Sequence, residues 1–395
     1  MSHAPLAAAT TLRLFHDAGA VATALAPEEP VFCFSRSQLE QRYRIFEKGF
    51  PGEVSYAVKS NPSAQVLQAL SDFGVDHWDV ASVHEMAAVA RIGRPAVFHY
   101  HNPIKSRTEI RDAYGKYGCR RFAVDCREEL RKIAEVVQNT AGVEVAVRLV
   151  LPRQRTSSAH DFSTKFGAAE HICVELLKEA AERGFTPLLT FHPGSQSRDP
   201  QVYVRHIEAA ARIALNAGIT IGKLNVGGGF PANYTRSVGG PLEPFFTAIA
   251  TTVTKAFGKG NEPKLECEPG RGLVATCMSL LTRVKIVCTD GDDIFLNDGV
   301  YGGLMEVMQV AELEPPYRLL RDGEVLHGET RAWKTFGPTC DPLDVLPHRL
   351  ELPASIRDDD YIEFGNLGAY SVATTTMFNG YGGHQIIDVE NALTI

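Results

Sequence analysis

Lys59 closes a short apolar run, Val54-Ser55-Tyr56-Ala57-Val58, and the turn formers Ser60-Asn61-Pro62 follow at once. That pattern places a lysine at the C-terminal end of a buried strand. An ammonium is poorly solvated there, so desolvation should lower its pKa. A lysine that is neutral part of the time can attack an aldehyde and hold it as a Schiff base. The same placement also suits a lysine that snorkels to water. The choice turns on whether the chain supplies an anion cradle and a carboxylate partner for a cationic ring.

Three glycine-rich segments offer the cradle: Phe191-His192-Pro193-Gly194-Ser195-Gln196, Asn225-Val226-Gly227-Gly228-Gly229-Phe230-Pro231 and Glu268-Pro269-Gly270-Arg271. Each follows an apolar run and should emerge where a strand ends. Glycines such as Gly228 and Gly229 let backbone N–H groups turn toward an anion. Ser195 adds a hydroxyl and Arg271 a charged fork. Glu268 could serve a protonated ring nitrogen or simply pair with Arg271. His192 could stack on a flat ring or fill the core. Farther on, Gly337-Pro338-Thr339-Cys340-Asp341-Pro342-Leu343-Asp344 sets a thiol beside two carboxylates in a turn-rich loop. Phe364-Gly365-Asn366-Leu367-Gly368-Ala369-Tyr370 ends in a tyrosine that could bind phosphate or pack in a core.

These residues need a scaffold that gathers strand ends. Short apolar runs alternate with amphipathic stretches over residues 37–270. Strands are expected at Val54 to Val58, His77 to Val80, Val97 to Tyr100, Arg121 to Val124, Val143 to Leu149, Leu188 to Phe191, Lys223 to Val226 and Lys264 to Glu268. Helical patterns lie between, including Ser63 to Leu70, Glu128 to Val137 and Asp199 to Ala217, with Asp199-Pro200 as cap and first helical residue. The fold class read from this is α/β: a (β/α)8 barrel, with a doubly wound sheet as the other alternating possibility. Residues 271–395 read as a mostly β domain, with strands at Met278 to Thr289, Asp293 to Asn297, Tyr317 to Leu320, Glu324 to Gly328, Ala332 to Phe336 and Tyr361 to Phe364. Within residues 1–36, Val31 to Phe34 could join that sheet.

The chain has 395 residues, 44% hydrophobic and 22% charged, with a net charge of -7. The length suggests two domains. The negative balance and the lack of a basic run argue against nucleic-acid binding. No leader and no membrane span are expected. The eight cysteines are scattered, with no zinc spacing, so no metal is expected and most should be reduced thiols in a cytoplasmic protein.

In order along the chain, Tyr56-Ala57-Val58-Lys59, His192-Pro193-Gly194-Ser195, Gly227-Gly228-Gly229-Phe230-Pro231, Glu268-Pro269-Gly270-Arg271, Cys340-Asp341 and Gly368-Ala369-Tyr370 resemble the blocks of the fold-type III, pyridoxal-phosphate-dependent ornithine, lysine and diaminopimelate decarboxylases, and most nearly those of ornithine decarboxylase. Asn297-Asp298-Gly299-Val300-Tyr301-Gly302 and Thr376-Met377-Phe378-Asn379-Gly380 look like two more. The resemblance runs from about residue 30 to nearly the end. It implies an alanine-racemase-like barrel followed by a β domain, pyridoxal 5'-phosphate as cofactor, and Lys59 as the residue that joins its aldehyde. It implies that Asp79 and Glu85 are the acidic residues near that lysine, that Arg148 lies under the phenolic oxygen, and that His192 stacks on the ring. Ser195, Gly228, Gly229, Arg271 and Tyr370 would hold the phosphate, and Glu268 would pair with the ring nitrogen. Cys340 would protonate the substrate carbon. Asp341 would bind the distal amine, with Tyr301 also at the substrate and Phe378 lining the channel. Cys340 and Asp341 would act from the partner subunit of a two-fold homodimer.

One position departs from the family. A second substrate-binding aspartate is usual nine residues beyond the tyrosine of the Asn-Asp-Gly block, and Val310 stands there. Glu306 is the nearby carboxylate expected to replace it. The arginine-containing segment of diaminopimelate decarboxylases is absent, and Asp341 suits a distal ammonium. The implied activity is decarboxylation of L-ornithine to putrescine in polyamine biosynthesis, with lysine also accepted. The alternatives are a decarboxylase of lysine or another diamino acid, arginine or diaminopimelate among them; a racemase; and a noncatalytic homologue resembling antizyme inhibitor.

Overall fold

A computed structural model describes residues 13–152, 165–235, 239–288, 290–310 and 313–395. Its first sheet is a barrel of parallel strands. Gly52–Val54 and Tyr56–Ala57 are two halves of one strand, interrupted at Ser55. The first half pairs with Lys264–Cys267 and the second with His77–Val80. That break closes the circle, because one stretch of chain hydrogen-bonds to both the last barrel strand and the next one. Around the barrel follow Val97–Tyr100, Arg121–Val124, Glu144–Leu149, Thr186–Phe191 and Lys223–Asn225. Nine paired segments, two of them halves of one strand, make eight staves, and the alternative of an open doubly wound sheet is excluded.

The staves are short and mostly buried, as expected for parallel strands covered by helices. Arg127–Val136 turns Leu130 and Ile133 inward. Gln201–Ala217 starts after Pro200, one residue later than expected, and ends at Gly218 with φ 67°. Ala64–Phe73 ends likewise at Gly74, φ 108°. The left-handed conformation at these two positions is nearly free of cost only for glycine.

The second sheet is organised by the eleven-residue strand Met278–Cys288. Thr289, expected to end this strand, lies outside the described residues. The strand pairs antiparallel with Asp293–Leu296, Tyr361–Phe364 and Val31–Phe34. The N-terminal strand therefore does join the C-terminal sheet, where it also runs parallel to Gln385–Asp388. That last strand and Leu350–Pro353, which pairs with Thr330–Phe336, are additional to those expected. One apolar cluster runs from barrel residues such as Val147 and Leu224 through to Met278, Leu280 and Phe364. The barrel mouth and the second sheet are thus held by shared packing.

Five cysteines are buried, Cys126 is half-buried, and Cys288 and Cys340 are exposed; all eight are free thiols. Among the described residues no helix is long and apolar enough to cross a membrane.

Candidate active site

The staves deliver their C-terminal residues to one mouth. Lys59 sits in a single 3-10 turn, Val58–Ser60, just past the first stave. Asp79 lies on the next stave, Arg148 on Glu144–Leu149, and His192, Gly228 and Glu268 follow three consecutive staves. The three glycine-rich segments are therefore neighbours at the barrel rim.

Lys59 Nζ donates to Asp79 Oδ2 at 2.6 Å. The Lys59 side chain keeps 39% of its surface open to the cleft, whereas that of Asp79 is 1% exposed. The expected lowering of the lysine pKa is not what the structure gives. Burial does pull it down, but Asp79, with Tyr370 and Glu268 adding, outweighs burial and holds it above the ordinary value. The lysine with a depressed pKa is Lys105, pushed down to about 8 by burial. Its Nζ is sealed, donating to Asn102 O at 2.8 Å and Ala123 O at 2.7 Å and pairing with Glu129 at 3.1 Å. Accessibility singles out Lys59, and Asp79 is at hand to take the proton that Lys59 must shed.

Glu268 is buried. One oxygen, Oε1, accepts from Asn225 Nδ2 at 2.7 Å and from His101 Nδ1, leaving Oε2 outside both contacts. Burial opposes its charge, yet His101, Lys59 and Asn225 together hold its pKa well below the carboxylate range. Burial and the nearby Glu268 charge push Asp79 the other way. Two neighbouring carboxylates are thus separated in proton affinity, which equips one to stay ionised beside a cationic ring and the other to exchange a proton. The alternative pairing of Glu268 with Arg271 does not occur. His192 is half-buried, and burial, with Arg148 and Lys59 adding, pushes its pKa down to about 3. It presents a neutral imidazole. Arg148 lies over the Phe166 ring at 5.4 Å. Glu85 caps the turn after Val80 by accepting from Ala81 N at 2.7 Å.

The anion cradle centres on Arg271, whose Nε donates to Ser195 Oγ at 3.2 Å and Nη1 to Tyr234 OH at 3.0 Å. The Tyr370 ring lies 5.1 Å from its guanidinium carbon, and Tyr370 N donates to Ser60 O at 2.7 Å. A Cβ on Gly228 would fall 2.6 Å from Glu268 O, and one on Gly229 would fall 2.3 Å from Gly194 O. Side chains at either position would push the three loops apart. An aldehyde-reactive lysine, a carboxylate with a spare oxygen and an arginine–glycine cradle around one mouth fit a phosphorylated aromatic aldehyde.

Glu306 occupies an unexpected place. Expected to take over the substrate contact of the missing aspartate, its carboxylate instead pairs with Arg271 Nη2, with both side chains buried. The short helix Met305–Gln309 turns Glu306 into the cradle, while Val310 is buried just after it. This carboxylate stands where a phosphate would compete for Arg271. Glu306→Gln should therefore tighten the cofactor by about tenfold, or about 1.4 kcal/mol, in an absorbance titration of the apoprotein. Weaker binding would contradict competition.

The Cys340 loop is displayed outward. Cys340 N donates to Asn379 Oδ1 at 3.1 Å. Asp341 accepts from Tyr301 OH at 2.5 Å and Leu343 N at 2.9 Å, and these two bonds, Tyr301 first, hold its pKa below the ordinary value. Tyr301 packs on Phe378 with ring centroids 4.9 Å apart. Asp344 ties the loop down, accepting from Val300 N, Thr339 N and Thr339 Oγ1 at 2.9, 3.0 and 2.7 Å. Sequence reading missed Tyr234, Asn225 and His101. Asn225 ends a stave and opens the second glycine-rich segment, a signal that was available; nothing in the neighbours of Tyr234 and His101 distinguishes them from ordinary loop residues.

Residues 36–275 match the family described as pyridoxal-dependent decarboxylase, pyridoxal binding domain. The chain is 29% identical over 360 residues to the lysine/ornithine decarboxylase of Selenomonas ruminantium, covering 89% of this chain and 87% of that one. It is similar in structure to the lysine/ornithine decarboxylase of Vibrio vulnificus solved with putrescine, with TM-score 0.80, 29% identity and coverage of 93% and 96%. It is also similar to the arginine decarboxylase of Paramecium bursaria Chlorella virus, with TM-score 0.83, 26% identity and coverage of 93% and 98%.

Proposed function

The chain belongs to the pyridoxal-dependent decarboxylase family, and from that premise we propose that it decarboxylates L-ornithine to putrescine and accepts L-lysine as a second substrate. The observation that carries the substrate class is Asp341. It is an outward carboxylate held ionised by Tyr301 and Leu343, on a loop that also bears the exposed thiol of Cys340. An anion at that position suits the distal ammonium of a basic amino acid.

Bound pyridoxal 5'-phosphate supplies an aldehyde for amines and a protonated ring that accepts the electron pair released when carbon dioxide departs. The chain's residues divide the remaining work. Lys59 Nζ would be the amine that takes the aldehyde, with Asp79 Oδ2 placed to hold the proton it gives up. Glu268, through Oε2, would hold the proton on the ring nitrogen. His192 would stack on the ring without adding charge, and Arg148 would serve the phenolic oxygen. Ser195, Gly228, Gly229, Arg271 and Tyr370 would hold the phosphate. In a two-fold dimer, Cys340 and Asp341 of one subunit complete the other's cleft: the thiol returns a proton to the substrate carbon, and Asp341, with Tyr301 and Phe378 beside it, sets the length of the substrate. Keeping the mouth poorly hydrated favours loss of the carboxylate.

Carbon dioxide release measured across L-ornithine, L-lysine, L-arginine and meso-diaminopimelate tests this. Ornithine should lead. Lysine, one methylene longer, should follow within roughly 10–200-fold in kcat/KM. Turnover of arginine or diaminopimelate alone would overturn the assignment. Asp341→Ala should raise KM for ornithine at least about tenfold, the scale of one lost charge-assisted contact, while binding the cofactor as tightly as the unaltered protein. An unchanged KM would remove Asp341 from the substrate.

A further inference from the structure

The barrel interior below Glu268 carries a polar column. His101 follows the stave Val97–Tyr100, opposite Glu268 across the barrel, and is 7% exposed. Its Nδ1 meets Glu268 Oε1, and since that oxygen is a carboxylate acceptor, Nδ1 carries the hydrogen. The same oxygen takes the Asn225 amide. Two donors on one oxygen fix the plane of the carboxylate and leave Oε2 for a third partner. The other ring nitrogen of His101, Nε2, is buried without a hydrogen-bond partner among the described residues. An unpartnered buried nitrogen is costly, and an apolar side chain would fill the position without that cost. The His101 imidazole is thus explained by its contact with Glu268, not by packing.

The surroundings narrow its role. The His99 ring lies 5.6 Å from that of His101, and Arg121 Nη1 donates to His99 Nδ1 at 3.1 Å. Arg121 is itself neutralised by Glu266 and Glu144, each at 2.6 Å. His99, His101 and Glu268 have spacing that would also suit a divalent cation. Arg121, however, directs an N–H at His99 Nδ1, so the hydrogen of the neutral imidazole sits on Nε2, which is a donor and cannot ligate. The charged groups that bear on His101 are then Glu268 and Asp79 from the mouth.

We propose that His101 is a positioning residue for the decarboxylation: it orients Glu268 and, by donating to Oε1, leaves Oε2 as the single oxygen offered to the ring nitrogen of the cofactor. The inference rests on the proposed pairing of Glu268 with that nitrogen. Asn225 alone cannot fix the carboxylate, because one hydrogen bond permits rotation about the bond to its oxygen.

The test compares holoenzymes carrying His101→Leu, which removes the donor, His101→Asn, which keeps an N–H in its place, and Glu268→Gln. The readouts are the pH midpoint of the cofactor absorbance change near ~420 nm, kcat and KM separately, and thermal unfolding of the apoprotein. His101→Leu should move the pH midpoint by about one unit and lower kcat about tenfold with little change in KM, and His101→Asn should restore both. An unmoved midpoint in a folded leucine variant, or an asparagine variant no better than leucine, overturns the inference. In the unaltered apoprotein, a strongly deshielded histidine N–H proton should be present by NMR, and it should move upfield in Glu268→Gln, where a neutral amide oxygen replaces the carboxylate. Its absence from the unaltered protein overturns the inference even if the leucine variant fails to fold. If Glu268→Gln itself leaves the pH midpoint unmoved, the pairing of Glu268 with the ring fails instead.

Discussion

Lys59→Ala is expected to lower carbon dioxide release by roughly a thousandfold or more, the scale on which removing an activated nucleophile acts, and to abolish the cofactor's absorbance band. The loss has a structural side effect that must be separated from the chemistry. Without Lys59, the Asp79 carboxylate, 1% exposed in the intact protein, loses its counter-ion beside Glu268. Breaking a buried pair costs about 3–5 kcal/mol, but Lys59 is 39% open, so solvent screening reduces the expected cost to about 1–3 kcal/mol. Asp79 meets the loss by binding a proton, so the destabilisation is greatest at high pH and fades as pH falls. The double variant Lys59→Ala, Asp79→Asn should recover thermal stability and none of the activity. Recovery of activity with stability would mean that Lys59 matters only as a counter-ion.

The second large effect is expected at Glu268. Glu268→Gln keeps the shape and still accepts from Asn225 and His101, so folding should be unaffected. A neutral amide cannot hold the proton on the ring nitrogen, and removing one preorganised electrostatic partner costs on the order of 10²–10³ in kcat, or about 2.7–4 kcal/mol. Because the Glu268 charge raises the proton affinity of Asp79, the variant should also lower the pKa of Asp79 in the apoprotein, as read by carboxyl NMR. Wild-type kcat in a Glu268→Gln holoenzyme would remove Glu268 from the chemistry.

Much of the barrel could be read in advance because each stave is an apolar run closed by turn residues. His77–Val80, Val97–Tyr100 and Arg121–Val124 fall where the pattern places them. The break at Ser55 could not be read, since it arises from one strand serving two neighbours. Leu350–Pro353 and Gln385–Asp388 were missed, and in the structure each is set by its partner strand, Thr330–Phe336 and Val31–Phe34 respectively. The mouth was legible as strand ends rich in glycine. Its electrostatics were not, because the net effect on Lys59 depends on two carboxylates contributed by other staves. Glu306 shows the same limit. Its closeness in sequence to Val310 suggested a substitute for the missing substrate aspartate, whereas the direction of one short helix turn takes it to Arg271. Asn225, on the neighbouring stave, and His101, from a more distant one, became visible as partners of Glu268 only when the barrel closed.

The most direct test of the account is to saturate the apoprotein with pyridoxal 5'-phosphate, reduce it with borohydride and map the peptide that carries the added mass. The label should lie on Lys59 alone and should vanish in Lys59→Ala. Labelling of Lys105, the buried lysine with the lower pKa, or of surface lysines without preference for Lys59, would contradict the central claim that this cleft is where the cofactor is held.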